Sequence, residues 1–395
     1  MKHLVMIQFG ELFLKSEGVR RYYVKILMGS IHTALDAASL EHAIHQHRGR
    51  ILISGEESEA IANIVSHIFG VVGVARCVCI PTDKEEIARV AANMSQGKLH
   101  PGMTFAVRAR RSGVEGFTSQ ELGAYVGSAI WFEGLTVDLS QPDYAMYVEA
   151  RHWGTLIYDT ILPGPGGLPM GTQARVLSLL SAGIDSPVAS WLVMRRGCPT
   201  TFLNLDGGAY AGSGVYNAVI TNFTNLSRWS PGRKITLLQL NMEPFYEALL
   251  AKDIIKNRCI LCKRFMLRVA VAVAKDENVA ALVMGDTIGQ VASQTLENLG
   301  VTDSLIPPDM LLLRPLITND KQETVDRARE IGTFQESPGD LSCAVVPKHP
   351  AVAAAITDIE NEEAKINIPS LIETVLLTKK VFIAYDGAVE EIVKK

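Results

Sequence analysis

The chain has no apolar run of membrane-spanning length, although its mean hydropathy of +0.16 is high, so no membrane partner is expected. Its opening, Met1-Lys2-His3-Leu4-Val5-Met6-Ile7, turns polar too soon for a secretory leader, and the mature start is expected here. Cysteine is scarce, six in 395 residues, which excludes a disulfide framework and suits the reducing cytoplasm. An excess of charge of one sign is missing too. With 38 Lys and Arg against 42 Asp and Glu, the net charge is −4. Nothing in that balance draws the whole chain to nucleic acid, so RNA contact would rest on local basic patches. Internal repeats and low-complexity tracts are absent. What is present is a globular composition, 48% hydrophobic and 20% charged, over a length suited to two or three domains.

The stretch 176–189 organises the rest. It holds no G-x-x-x-x-G-K-[ST], and no G-x-G-x-x-G follows its strand, so neither of the two best-known nucleotide loops is present. Instead an apolar run ends in Ser181-Ala182-Gly183-Ile184-Asp185-Ser186, and a helix-compatible segment opens at Pro187. Strand, small-residue loop and helix is how an α/β sheet builds a phosphate site. Small side chains let backbone N–H groups approach an anion, and Pro187 suits a first helical turn. An acid at position 185 beside a polyphosphate implies a Mg2+ partner. The loop resembles S-G-G-x-D-S, the pyrophosphatase loop of enzymes that split ATP into AMP and pyrophosphate. Ala182 replaces the first glycine, a mild change if its φ stays negative and a damaging one otherwise. Alone, the loop also reads as an ordinary strand-to-helix turn.

Residues 1–60 read as a small α+β unit, with strands at 4–9 and 50–53 around a helix at 20–35. A second unit at 61–165 has helices at 60–69, 85–94 and 121–132 and strands at 104–111 and 145–151. Arg108, Arg110, Arg111 and Arg151 are expected along one basic face that suits RNA phosphates; the same cluster also reads as a solvated strand end. The Pro- and Gly-rich stretch 162–171 marks a boundary, with 166–175 as linker. Strands and helices then alternate, which predicts a doubly wound parallel sheet over 176–395. Its strands are expected at 176–180, 200–205, 235–240, 280–284 and 311–316. Helices are expected at 187–196, 245–253, 262–275 and 321–331.

In such a sheet ligands bind at the carboxyl ends of the strands. That rule selects Leu179 and Leu180, Asn204 and Leu205 to flank an adenine, and Gly285 to admit close backbone approach. Gln294 is expected to reach a base or ribose, and Lys321, at a helix start, to neutralise a leaving pyrophosphate. Cys77, Cys79 and Cys198 read as packing residues. Cys259-Ile260-Leu261-Cys262 is a C-x-x-C before a helix, followed by Lys263 and Arg264, a setting that lowers thiol pKa. Cys343 lies in a loop after Pro338. Zinc would need a fourth ligand, for which only His349 offers itself. Three cysteines with an open position suit a [4Fe–4S] cluster. Thiol chemistry without metal, and chance, are the other readings of the pair.

The order of these signals resembles one family over nearly the whole chain, the tRNA 4-thiouridine synthetases, or tRNA uracil 4-sulfurtransferases. Gly10-Glu11-Leu12-Phe13-Leu14-Lys15 resembles the family's opening motif and 166–171 its domain junction. The run from Met284 to Leu296 is the most specific match, followed in order by Arg314-Pro315-Leu316, Asp320-Lys321 and Ile331-Gly332-Thr333. The resemblance implies an α/β architecture: a ferredoxin-like domain (1–60), a THUMP RNA-binding domain (61–165) and a PP-loop ATP pyrophosphatase domain (176–395). It implies adenylation of uracil O4 on a tRNA uridine, position 8 in the family, then displacement of AMP by sulfur. The loop residues Ser181, Ala182, Gly183 and Ser186, with Lys263, would join the nucleotide contacts named above. Asp185 would hold Mg2+ or orient the α-phosphate, and Cys343 would handle sulfur.

Two features set the chain apart from many relatives. It ends at Lys395, too soon for a rhodanese domain, and it carries the cysteine pair. That combination resembles a cluster-bearing subset, often archaeal, in which sulfide is a donor. A [4Fe–4S] cluster on Cys259, Cys262 and Cys343 is therefore expected; the alternative is Cys343 as a persulfide acceptor fed by a cysteine desulfurase. The resemblance also admits a role in thiamine thiazole synthesis and a homodimer bridged by tRNA. A different RNA-directed or amidotransferase-type ATP pyrophosphatase, and a non-catalytic RNA-binding protein with a degenerate loop, are the rival readings.

Overall fold

The computed structural model describes residues 2–47 and 49–392. It forms two compact units, Met1–Arg20 with Ile31–Gly167, and Arg21–Ser30 with Leu168–Lys395.

The elements before the linker are β1 (Lys2–Phe9), α1 (Glu17–Ala37), β2 (Ala43–His47), β3 (Arg50–Ser54), α2 (Ser58–Val65), β4 (Val71–Ile80) and α3 (Lys84–Ser95). There follow β5 (Thr104–Ser112), α4 (Ser119–Ile130), β6 (Thr136–Val137), β7 (Tyr144–Arg151), β8 (Gly154–Tyr158) and β9 (Leu162–Pro163). All the strands join one sheet in the order β2-β3-β1-β4-β8-β7-β5-β6, with β9 on β4. The strand that unites it, β4, is absent from the sequence expectation. Seven of its ten residues are buried without alternation, so the period-two signal that marks a half-exposed strand never develops. α3 and α4 are the better-signalled elements because their starts are capped. Asp83 accepts a hydrogen bond from the Glu86 amide, and Thr118 and Glu121 form a reciprocal capping box. Ile87, Val90, Leu122 and Val126 then pack on Phe105 and Met146. Glu149 is buried and held by Arg50 and Arg151, each at 2.8 Å.

The elements from the linker onward are β10 (Val176–Leu179), α5 (Asp185–Arg195), β11 (Thr200–Asp206), α6 (Val215–Ser227), β12 (Ile235–Asn241), α7 (Glu243–Leu250), α8 (Arg258–Asp276) and β13 (Ala281–Val283). The chain closes with α9 (Leu296–Asp303), β14 (Leu311–Leu313), α10 (Lys321–Glu330), α11 (Ile356–Glu363), α12 (Ile368–Leu377), β15 (Lys380–Tyr385) and β16 (Ala388–Ile392). Their sheet runs β14-β13-β10-β11-β12-β15-β16. β10 to β14 are parallel, as expected. β15 and β16 form an antiparallel hairpin on β12, which the sequence expectation lacked. β14 stops at Leu313, three residues short of the expected end, where the chain turns ahead of Pro315. From β10 the chain moves to β11 on one side and later returns to β13 on the other. The crevice beside β10 is therefore the switch point of the sheet. Among the described residues no helix is long and apolar enough to cross a membrane.

One ion pair crosses this core. Arg264 of α8, 1% exposed, makes a two-bond contact with Glu363 of α11 at 2.9 and 2.8 Å, and Arg268 adds a third bond at 3.1 Å. Burial pushes the Glu363 carboxyl up, but the two guanidinium groups outweigh it and hold its pKa below the ordinary value. A carboxylate lowered on folding stabilises above its unfolded pKa, and that contribution is lost as pH falls through the lowered value. Replacing Glu363 with Gln should leave a buried guanidinium short of its counter-charge and cost about 3 kcal/mol in urea unfolding at neutral pH. The difference from the parent should shrink as pH falls below the carboxylate range, and an unchanged neutral-pH midpoint would contradict this account of the pair.

Candidate active site

β10 ends at the switch point, and its loop runs directly into α5, whose N-terminus brings positive dipole and unpaired amides. Ala182 and Gly183 both stay outside the left-handed region; the only described non-glycine residues in it are Ser39, Asn278 and Asp386. The alanine in place of glycine is thus conformationally mild. Ser186 Oγ accepts from the Ser181 amide at 2.8 Å and bonds the Ser181 hydroxyl at 2.9 Å, which closes the loop on itself. From the sheet below, Asn204 Nδ2 donates to the Leu180 carbonyl at 2.9 Å, and Gln239 Nε2 orients Asn204 by donating to its Oδ1 at 3.0 Å.

A cavity of about 200 Å³ opens against this loop. The nucleotide contacts expected from sequence all line it except Ala182. Gly285 lines the cavity and also meets the loop. A Cβ there would lie 2.8 Å from the backbone of Asp185 and Ser186, so the glycine lets β13 approach the loop itself.

Asp286, next along, is a site residue that sequence reasoning missed. It is 4% exposed, and its carboxylate receives Lys263 Nζ at 2.7 Å, Gln294 Nε2 at 3.0 Å and Arg314 Nε at 3.0 Å. Burial raises its pKa, but Lys263 and Arg314 outweigh burial and hold it below the usual carboxylate value. Arg314 is shared with Asp303 at 2.8 Å. The only sequence signal was an acid at a strand end within the motif run. Gln294 Oε1 is buried with no hydrogen-bond partner, an acceptor open to a ligand N–H. Asp185 is engaged by Lys321 Nζ at 2.8 and 3.1 Å and by Gln290 Nε2 at 2.9 Å. Lys321 is half-exposed, so this pair holds little energy in water and is readily exchanged.

α8 starts at Arg258 and not after the C-x-x-C, so the two cysteines lie within its first two turns, with Cys343 on an extended segment that bridges to Ala211. That segment is held by Gly212 N to Ser342 O at 2.8 Å and Ala344 N to Tyr210 O at 2.9 Å. Any Cβ at Gly212 or Gly214 would collide with its backbone. The expectation of lowered thiol pKa values is overturned for the pair. Burial pushes Cys262 up to about 12; the Tyr246 hydroxyl 3.5 Å away lowers it, Cys343 and Cys259 raise it further, and Lys263 lowers it least. Burial and Cys343 raise Cys259 as well, and both effects exceed the pull of Lys263. Cys343 is exposed, as is His349. Among the described residues no three His, Cys, Asp or Glu side chains are grouped as around a bound metal ion.

The four arginines do not form one face. Strand alternation puts Arg108 and Arg110 on one side of β5 and Arg111 on the other. Arg111 folds back on the Val114 carbonyl, and Arg151 is committed to Glu149. Arg108 and Arg110 line a cavity of about 720 Å³ with Tyr147 and the exposed Trp131. Cationic forks beside aromatic faces suit a polyanion that carries bases.

Thiol labelling checks this assignment. At about pH 8 a small alkylating reagent should modify Cys343 well before Cys262, as read by peptide mass spectrometry. Labelling of Cys262 as early as Cys343 would contradict it.

Family models match three parts of the chain: thiamine biosynthesis protein (ThiI) over residues 171–368, the ThiI ferredoxin-like domain over 4–75 and the THUMP domain over 81–158. A probable tRNA sulfurtransferase of Methanosarcina acetivorans is 36% identical over 390 residues, covering 96% of this chain and 93% of its own. A tRNA sulfurtransferase of Shigella dysenteriae is 34% identical, covering 94% of this chain and 77% of its own. A crystal structure of a 4-thiouridine synthetase–RNA complex with bound ATP superposes with a TM-score of 0.83 at 28% identity. It covers 97% of this chain and 100% of that one.

Proposed function

The chain belongs to the ThiI family, and from that premise we propose that it is an ATP-dependent tRNA sulfurtransferase that makes 4-thiouridine. The observation that carries the reading is the convergence of the small-residue loop, the α5 N-terminus, Asp185 and the Lys263–Asp286 pair around one cavity at the switch point. In this reading the loop holds the phosphates of ATP, Leu180 and Leu205 flank its base, and Gln294 Oε1 accepts an N–H from a ligand base. The uracil O4 attacks the α-phosphorus, a P–O bond forms, and pyrophosphate departs. Asp185 would hold a Mg2+ ion, which would supply charge stabilisation to the phosphates, and the Lys321 ammonium then lies free to face the charge growing on the pyrophosphate. Sulfide then adds at C4, the C4–O bond breaks and AMP leaves with the former uracil oxygen. Arg108 and Arg110 hold the tRNA backbone.

α8 joins the two chemistries. Its first two turns present Lys263 to the cavity and the adjacent Cys262, with Cys259, to Cys343. Cys343 raises the pKa of both Cys259 and Cys262, and a cationic core would relieve that repulsion; drawn together from the looser arrangement described above, Cys259, Cys262 and Cys343 would be the ligands of a [4Fe–4S] cluster. Such a cluster supplies an open iron site for sulfide. The exposure of Cys343 favours a second reading, in which that residue takes a persulfide from a cysteine desulfurase. A cytoplasmic location and a homodimer accompany the reading, and a part in thiamine synthesis rests on the family description alone.

Incubation with ATP, unmodified tRNA and sulfide should yield 4-thiouridine, and Asp185→Ala should lower the rate by about 100-fold or more. An undiminished rate would remove the loop from the mechanism. Anaerobically purified protein should carry iron and acid-labile sulfide, both lost in Cys259→Ser. A colourless, iron-free and fully active preparation would eliminate the cluster and leave the persulfide route.

A further inference from the structure

Asn222, in the middle of α6, plays no part in the reading above. It is 1% exposed, and its Nδ2 donates to the carbonyl oxygen of Ser181 at 3.1 Å and, more weakly, to that of Gly183 at 3.5 Å. Its Oδ1 accepts from Gln335 Nε2 at 2.9 Å, and the same Nε2 donates to the Ala218 carbonyl at 3.0 Å. Each link allows one orientation only. The Ala218 carbonyl can only accept, so Gln335 turns its amide nitrogen toward α6. That nitrogen meets Asn222 through oxygen, which leaves Asn222 its donors for two carbonyls that also only accept.

The consequence falls on the loop amides. In a trans peptide the C=O and the next N–H point in opposite directions. A donor that holds the Ser181 and Gly183 carbonyls against α6 therefore aims the amides of Ala182 and Ile184 away from it. Asn204 does the same from the sheet side for the Leu180 carbonyl. A phosphate loop needs its carbonyls withdrawn, because a carbonyl oxygen turned toward the anion repels it.

We infer that Asn222, oriented by Gln335, is a positioning residue that presets the phosphate loop for ATP; the inference rests on the nucleotide reading above. Gln335 stands on the segment that leads to Cys343, so the loop is braced from the chain that carries the sulfur site.

Equilibrium dialysis with labelled ATP tests it, without tRNA or sulfide. Asn222→Asp keeps the shape and removes the donors. It should weaken ATP binding by roughly tenfold or more at about pH 8. Protonation of the new carboxyl restores a donor and removes charge, so the loss should shrink as pH is lowered toward about 6. Volume changes or loosened packing would not produce that recovery. Gln335→Met, outside the loop, should weaken binding in the same direction by roughly threefold, and it decides the matter if Asn222→Asp does not fold. Either variant, folded and with parental affinity at every pH, would overturn the inference. Parental protein that itself fails to bind ATP would instead overturn the nucleotide reading.

Discussion

A backbone loop that grips an anion has to point its carbonyl oxygens away, and in this protein that constraint organises the second unit. β10 must sit centrally among parallel strands so that its loop opens at the switch point. β11 must carry Asn204 at the height of Leu180, and Gln239 on β12 must stand beside it to fix its direction. α6 must pass close enough for Asn222 to reach the loop from the other side. Ser186 then closes the turn from within. Apolar packing alone would supply the strand and helix but not the direction of these peptides. The buried carboxamides supply it, since a carboxamide is both donor and acceptor and carries no charge to oppose a phosphate.

The charges around the cavity are arranged in balanced pairs. Asp286 stays ionised although buried, because Lys263 and Arg314 meet it directly. That pair anchors α8 to the end of β13 and fixes where Lys263 stands. Asp185 and Lys321 are paired more loosely and nearer to solvent, which suits groups that change partners when a metal–triphosphate arrives. The firm pair sets geometry, while the loose pair is available for chemistry. Burial raises the pKa of Cys262, one residue before Lys263.

The sheet of the second unit was legible from sequence where small-residue loops and apolar runs alternate, from Val176 to Val283. It was not legible at β15, whose partner β12 is distant in sequence, nor at β16, whose residues are largely exposed. In the first unit β4 escaped because burial on both faces erased its alternation, and with it went the strand that makes one sheet of the whole unit. The loop residues were recognisable because their smallness is itself a signal. Asp286, Arg314, Asn222 and Gln335 were not, since each acquires its role from a partner between 23 and 113 positions away. The thiol shifts were misjudged for the same reason. Helix start and adjacent cations are visible in a sequence, whereas burial of the thiols and the approach of Cys343 are not.

The central claim is that main-chain amides between Ser181 and Asp185 receive the phosphates of ATP. A crystal structure of the protein with a non-hydrolysable ATP analogue and Mg2+ tests it most directly. The account predicts phosphate oxygens within hydrogen-bond distance of those amides, with Asp185 turned from Lys321 to the metal. A loop left bare, with the nucleotide bound elsewhere on the chain, would contradict it.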